Sequence, residues 1–308
     1  MMYAQQDLDL LKKRTAWLSI MSNTTLVLLK LVVGLYVGAV SLVSEAMHSG
    51  VDLIAALIAF WAVHKSVVPP DREHDYGHGK FENISSAVEA MLIVAAALGI
   101  IWEAVRKFSS AEMPQDLEYG IAIMAVSIVI NYIVSGRLMR VARQTGSQAL
   151  EADGLHLRAD IWTSVGVLGG LIGLQLTGWH WLDPAIAVFV ACIIFHAGWN
   201  MVVESAKELT DASLPPEDEA RIGAIFSQHP EVLGYHCLRT RKSGSYKLLD
   251  VHLLFSPEMH LSRVHAICDE LEQQIREALG TFDVLIHAEP ADDHKPETKK
   301  QQYEKSHE

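Results

Sequence analysis

Apolar residues in this chain come mainly in long runs. Six of them, residues 16–38, 41–63, 84–105, 119–139, 155–176 and 181–203, come close to or exceed the length a helix needs to cross a hydrocarbon core, about 20 mostly apolar residues. The pattern changes at Val203. Charged residues recur from Glu204 onward, and no later run is long enough to span. The rest predicts a small α/β unit. Pro215 and Pro216 lead into a helix from about Glu217 to about Ser227. A strand over residues 232–241, a turn at Ser243, Gly244 and Ser245, and a second strand over residues 246–255 follow. A helix over residues 261–279 places Ile267, Leu271 and Ile275 on one face. Gly280 stops it, and residues 282–287 make a last short strand. The order is α-β-β-α-β. The expected fold is therefore an α-helical membrane protein, a six-helix bundle followed by a soluble α/β unit. Its expected divisions are residues 1–205 for the bundle with a polar loop at 65–82, 206–290 for the soluble unit, and 291–308 for a polar, disordered tail.

Composition agrees with a bilayer protein. Half of the 308 residues are apolar, and the mean hydropathy is positive. The net charge of −12 argues against nucleic acid as a partner. Much of the acidity lies late, at Glu217, Asp218, Glu219, Asp292 and Asp293. The three cysteines, Cys192, Cys237 and Cys268, include no CxxC pair, so neither a disulfide framework nor a cysteine zinc cluster is expected. Cys237, beside His236, reads as a buried structural cysteine ahead of a soft ligand. No removable signal peptide is read at the N-terminus.

Lysine and arginine placement sets the topology. Lys12, Lys13 and Arg14 precede the first run, Lys65, Arg72 and Lys80 lie between the second and third, and Arg137, Arg140 and Arg143 close the fourth. Arg106 and Lys107 conflict mildly, beside Glu112, Asp116 and Glu118. On balance both termini are expected in the cytoplasm.

The second and fifth runs repeat one pattern. His48 and Asp52 lie four residues apart, and so do His156 and Asp160. That spacing puts each pair on one helix face. An ionisable residue at the bilayer centre costs about 2.5–3.5 kcal/mol on insertion scales, so it is rare and usually functional. Two imidazoles and two carboxylates can together offset that cost by holding one cation in a tetrahedral shell of two nitrogens and two oxygens, which suits zinc. The bland alternative is helix–helix hydrogen bonding, which explains one pair better than two matched ones. Asn23, Lys30, Glu45, Glu89 and Asn131 read as packing, snorkelling or pathway-lining residues.

Two further groups carry histidine. In the loop, Asp71, His74 and His78 have spacings of three and four and can meet on one metal, although a solvated charged loop fits equally well. In the soluble unit, His236 and His252 fall on the two strands, His265 on the helix, and His287 on the last strand with Glu289 just after it. Packing of those elements could gather them into a cluster.

Taken together, the two HxxxD pairs, the run Tyr76-Gly-His-Gly-Lys80, the run Gln148-Ala-Leu-Glu-Ala-Asp153 and the histidine-bearing tail resemble the cation diffusion facilitator family, in particular its bacterial zinc and iron exporters. The resemblance runs from about Lys12 to Pro290. It implies a transport site at His48, Asp52, His156 and Asp160 and a loop metal site at Asp71, His74 and His78. It implies a two-metal cytoplasmic site at His236, His252, His265, His287 and Glu289, bridged by His252, and an interlock of Lys80 with Asp211. It also implies a ferredoxin-like tail domain and a homodimer. A short chain in which no targeting segment is read, with termini expected in the cytoplasm, suits a bacterial plasma membrane as host. Many bacterial members carry aspartate where this chain has His48, and histidine there points toward zinc.

The expected function is export of a divalent cation, Zn2+ foremost, against protons by alternating access, with no enzymatic activity. Cobalt, iron, cadmium and manganese are the alternative cargoes, and two histidines argue against manganese. A membrane-anchored zinc sensor is the reading from another class. It accounts for the tail site but gives no use to four costly groups inside the bilayer.

Overall fold

The computed structural model describes residues 2–37, 40–107, 117–177 and 181–291. It divides into two compact units, Met1–Ala206 and Lys207–Glu308. The expected disordered tail, residues 291–308, lies outside the described residues apart from Ala291.

The first unit is built of six long helices: α1 (Met2–Val37), α2 (Val40–Ser66), α3 (Lys80–Lys107), α4 (Leu117–Thr145), α5 (Gln148–Thr177) and α6 (Leu182–Leu209). The shortest has 27 residues, about 40 Å at 1.5 Å per residue, which exceeds the hydrocarbon thickness of about 30 Å. Among the described residues, four stretches are long and apolar enough to cross a membrane: Gln6–Val33, Lys80–Arg106, Ala125–Thr145 and Pro184–Leu209. Helices α2 and α5 carry the ionisable residues Asp52, Asp153 and Asp160 along their length. The first helix begins well before the apolar run expected at residue 16, at Met2. No proline or glycine interrupts the sequence until Gly34, so the polar N-terminal segment continues the same helix.

The bundle is apolar outside, and its interior holds polar side chains among apolar clusters. Trp17, Met21, Val32, Trp102, Val129, Ile133 and Phe189 are exposed, while Ser19, Asn23, Ser86, Glu89, Asn131 and Ser205 are buried. Lipid accepts the first set without cost and forces the second inward, where other helices supply partners. Lys30 Nζ on α1 donates to Ser49 Oγ on α2 at 2.7 Å, and the Ser86 and Ser205 hydroxyls of α3 and α6 lie 2.9 Å apart. Small residues permit this closeness. Ala55, Ala59 and Ala62 of α2 are almost fully buried at helical spacing. At Gly154 on α5, an added Cβ would lie 2.9 Å from Met139 Sδ of α4.

One end of the bundle is tied by a buried carboxylate. Glu82, in the first turn of α3, has no solvent exposure. Its Oε1 accepts from Lys12 Nζ of α1 at 3.0 Å and from Ser66 Oγ of α2 at 2.7 Å. Its Oε2 accepts from Ser147 just before α5. Asn83 beside it donates to Gln148 at 2.8 Å. Four chain segments thus converge on one anion, and the Lys12 ammonium balances its charge.

The second unit contains α7 (Pro216–Gln228), β1 (Gly234–Ser243), β2 (Tyr246–Phe255), α8 (Leu261–Leu279) and β3 (Phe282–Pro290). The sheet order is β1-β2-β3. β1 and β2 form an antiparallel hairpin whose turn includes Gly244 at φ 58. β2 and β3 are parallel, which requires a crossover connection, and α8 provides it. This is the α-β-β-α-β order the sequence predicts. Side chains alternate across the sheet. Leu249, Val251, Leu253 and Phe255 of β2 face a core shared with Ile222 and Phe226 of α7 and Ile267, Leu271 and Ile275 of α8. His252 has the opposite parity. The last strand runs longer than residues 282–287, because Leu254 and Phe255 pair with Glu289 and Pro290. His287 therefore sits within β3 instead of ending it.

Candidate metal sites

Inside the bundle, α2 and α5 bring Asp52, His156 and Asp160 together, with one ligand atom from each within 4.8 Å of the others. His156 Nε2 and Asp52 Oδ1 are 3.1 Å apart, and both side chains are about nine-tenths buried. His156 Nδ1 is buried with no hydrogen-bond partner. His48 belongs to α2, one turn before Asp52, but its side chain lies outside the described residues. Behind the cluster stand two acids that sequence patterning does not single out as ligands. Glu89 of α3 is fully buried and accepts from Ser85 Oγ at 3.2 Å. Asp153, one turn before His156, is likewise buried.

The loop between α2 and α3 gathers Asp71, His74 and His78 in the same way. Asp71 Oδ1 accepts from the backbone N–H groups of Glu73 at 2.9 Å and His74 at 2.8 Å. Those two bonds hold its carboxyl below the usual carboxylate range. His74 Nδ1 lies 3.3 Å from Asp71 Oδ1, and His78 Nε2 lies 3.4 Å from Asp71 Oδ2. The His78 ring is buried, and its Nδ1 lies 3.3 Å from the Val68 carbonyl oxygen. A carbonyl can only accept, so Nδ1 is the donor, and in the neutral ring Nε2 keeps its lone pair. That nitrogen is buried without a hydrogen-bond partner. Fixing one nitrogen and leaving the other as a lone pair is how proteins prepare a histidine ligand.

In the second unit, strand register builds the cluster. His236 of β1 pairs with His252 of β2, and His252 pairs with His287 of β3. Three histidines thus form one row across the sheet face opposite the core. Adjacent rings stand 5.0 Å and 4.7 Å apart. Glu289, two residues beyond His287, shares that face. Its Oε2 lies 2.9 Å from His236 Nε2, and its Oε1 lies 2.8 Å from His252 Nδ1 and 3.4 Å from His287 Nε2. Burial pushes the Glu289 carboxyl up, but hydrogen bonds from His236 and His252 outweigh it and hold the group below its ordinary value.

His265 is not brought to this row. It is 77% exposed on α8, with Nε2 3.7 Å from Asp269. Helix α8 covers the core side of the sheet, so His265 and the histidine row lie on opposite sides. Cys237, in contrast, does come near. A register shift between His236 and Arg239 makes a β-bulge, and Cys237 sits in it at φ 52. A left-handed conformation costs an ordinary residue about 1–2 kcal/mol. Cys237 is half-buried, not buried as its sequence context suggests. Of the expected interlock, Lys80 opens α3 in the first unit. Asp211 belongs to the second, where its Oδ1 lies 3.2 Å from Arg241 Nη1.

Comparison with known proteins matches the whole of this architecture. The profile of the cation efflux transmembrane domain covers residues 16–210, and that of the cation efflux protein cytoplasmic domain covers residues 214–291. An uncharacterized transporter of Synechocystis, sll1263, is 36% identical over 84% of this chain and 84% of its own length. The cation-efflux pump FieF of Shewanella oneidensis is 30% identical over 88% of this chain and 92% of its own. A solved structure of CzrB in its Zn form is 33% identical over 27% of this chain and 96% of its own, with a TM-score of 0.26.

Proposed function

Since the chain belongs to the cation efflux family, the cation diffusion facilitators, and so is a membrane transporter of divalent cations, we propose that it exports Zn2+ in exchange for protons. The observation that carries the choice of cargo is the donor set. Asp52, His156 and Asp160 converge inside the bundle, and His48 lies one turn from Asp52 on the same helix. Two imidazoles and two carboxylates suit zinc better than manganese or magnesium, which favour oxygen alone.

The exchange follows from ligand chemistry. Imidazoles must be neutral and carboxylates ionised to bind metal, so protons and zinc compete for the same atoms. Histidine titrates near neutral pH, which places that competition in the physiological range. In an inward-facing state zinc enters from the cytoplasm and binds. In an outward-facing state external protons displace it and reset the site. Rocking of helices about a midplane site is a common physical form of such a cycle.

The second unit is the regulatory part of this reading. Zinc held by His236, His252, His287 and Glu289 favours one arrangement of a homodimer and links export to cytoplasmic zinc. The loop group Asp71, His74 and His78 is a further zinc site. Both termini lie in the cytoplasm, and the host is a bacterial inner membrane. Cobalt, iron and cadmium are the alternative cargoes.

The test is the purified protein in liposomes with an imposed pH gradient and a zinc dye inside. Zinc flux that follows the gradient and vanishes in Asp52→Ala supports the proposal. Zinc binding without flux in the wild type overturns it in favour of a zinc sensor. Flux of cobalt or iron with none of zinc overturns the choice of metal.

A further inference from the structure

Resting on the reading of the second unit as a metal site, we infer that Cys237 is a ligand there. With His236 and His252 it forms a thiolate pocket that prefers soft cations and adjoins the Glu289 carboxylate.

The geometry begins with the bulge. In a regular strand neighbouring side chains point to opposite faces, so Cys237 would point away from His236. An extra residue in one strand breaks that alternation, and here the extra residue is Cys237 at φ 52. The result is that the Cys237 sulfur and one ring nitrogen each from His236 and His252 lie within 4.8 Å of one another. The second grouping, His252, His287 and Glu289, meets the same criterion and shares only His252 with the first. Two adjoining pockets thus meet at the central histidine of the row. One offers two nitrogens and a sulfur, the other two nitrogens and an oxygen.

The two donor sets differ in softness. Thiolate with imidazole favours zinc, cadmium and cuprous copper, whereas carboxylate with imidazole accepts harder ions. Cys237 is half-buried and groups with His236 and His252, the histidines of the sheet face opposite the core. When the metal–sulfur bond forms, the thiol releases its proton to solvent and the sulfur stays a thiolate. A tetrahedral shell then needs one more ligand, which Glu289, whose Oε2 lies 2.9 Å from His236 Nε2, or water can supply. The sensing site accordingly answers to soft thiophilic ions more strongly than a purely nitrogen and oxygen site would.

The experiment uses the full-length protein in detergent with Cys192→Ser and Cys268→Ala, which leaves Cys237 as the sole thiol. Cobalt(II) is titrated without oxygen, and the thiolate-to-cobalt charge-transfer band is followed in the near ultraviolet. The expected result is a band that rises to a plateau as cobalt is added and that cadmium abolishes. Cys237→Ser in the otherwise native sequence should lack the band and bind cadmium more weakly. The loss should exceed the roughly 10–100-fold typical when a ligand loses only its supporting hydrogen bond. Thermal unfolding of each variant checks that it is folded. No band from the folded sole-thiol protein, or a band that survives Cys237→Ser, overturns the inference. Zinc flux measured on the same samples separates the two readings. A band without flux leaves the thiolate pocket standing and removes the exporter proposal, and flux without a band does the reverse.

Discussion

His156 Nε2 of α5 stands 3.1 Å from Asp52 Oδ1 of α2, across 104 residues of sequence. The contact shows that the two HxxxD turns face each other, which neither helix could arrange alone. Asp52→Asn keeps the shape and one acceptor oxygen but removes the charge. A hydrogen bond to a charged group is worth about 1.5–3 kcal/mol, so zinc binding at this site should weaken roughly 10–100-fold. Isothermal titration beside liposome flux measures this. Unchanged affinity with normal flux would remove Asp52 from the site.

Glu82 offers a test of what holds the bundle together. Its carboxylate joins Lys12, Ser66 and Ser147 without exposure to solvent. Glu82→Ala should remove the carboxylate that stands 3.0 Å from the buried Lys12 ammonium, which also has Asp9 at 4.0 Å, at a cost of up to about 3–5 kcal/mol. Adding Lys12→Met should restore part of the loss, since an apolar pair of similar volume is often tolerated. Unfolding in detergent, followed for both single variants and the double, gives the coupling. Strictly additive losses would mean that the pair does not act as a pair.

Acid should act on the metal-free second unit through Glu289. Its folded-state pKa lies below the ordinary value of 4.5. A carboxyl with a depressed folded pKa adds stability above its unfolded pKa, and that stability disappears as pH falls through the folded value. Metal-free protein should therefore lose stability below about pH 4.5, and Glu289→Gln should flatten that part of the curve. Identical profiles for the two proteins from neutral pH down to about pH 3 would count against the histidine–carboxylate contacts.

The core of the second unit is tested at Phe226, which is fully buried in α7 against the sheet. Phe226→Ala should cost about 3–5 kcal/mol, because a large cavity opens where the shell cannot collapse. If chelators and the variant both lower the unfolding temperature, their effects should add, since core and metal face lie on opposite sides of the sheet. Strong non-additivity would mean that metal binding and core packing are coupled.

Some elements are legible because their signals are local. The strand over residues 246–255 and the helix over residues 261–279 form with the bounds their patterns imply. Alternation, helical periodicity and the Gly280 stop act within a few residues. The last strand reads short in the sequence because its final residues, Ala288 to Pro290, are held by pairing with β2. That information lies more than thirty residues away. His265 looks like its neighbours in composition, and only the layering of α8 over the core face separates it from the histidine row.

The sequence by itself determined the long apolar helices, the matched pairs on α2 and α5, and the α-β-β-α-β order of the tail. Each is written in periodicity that one segment carries alone. Tertiary structure decided which donors share a space. Glu82 became a hub for four segments, the row of His236, His252 and His287 came from strand register, and Cys237 was turned toward that row by a bulge. The reason is that ligand geometry depends on distances between segments, and those are set by packing and register, not by the local preferences that a linear pattern records.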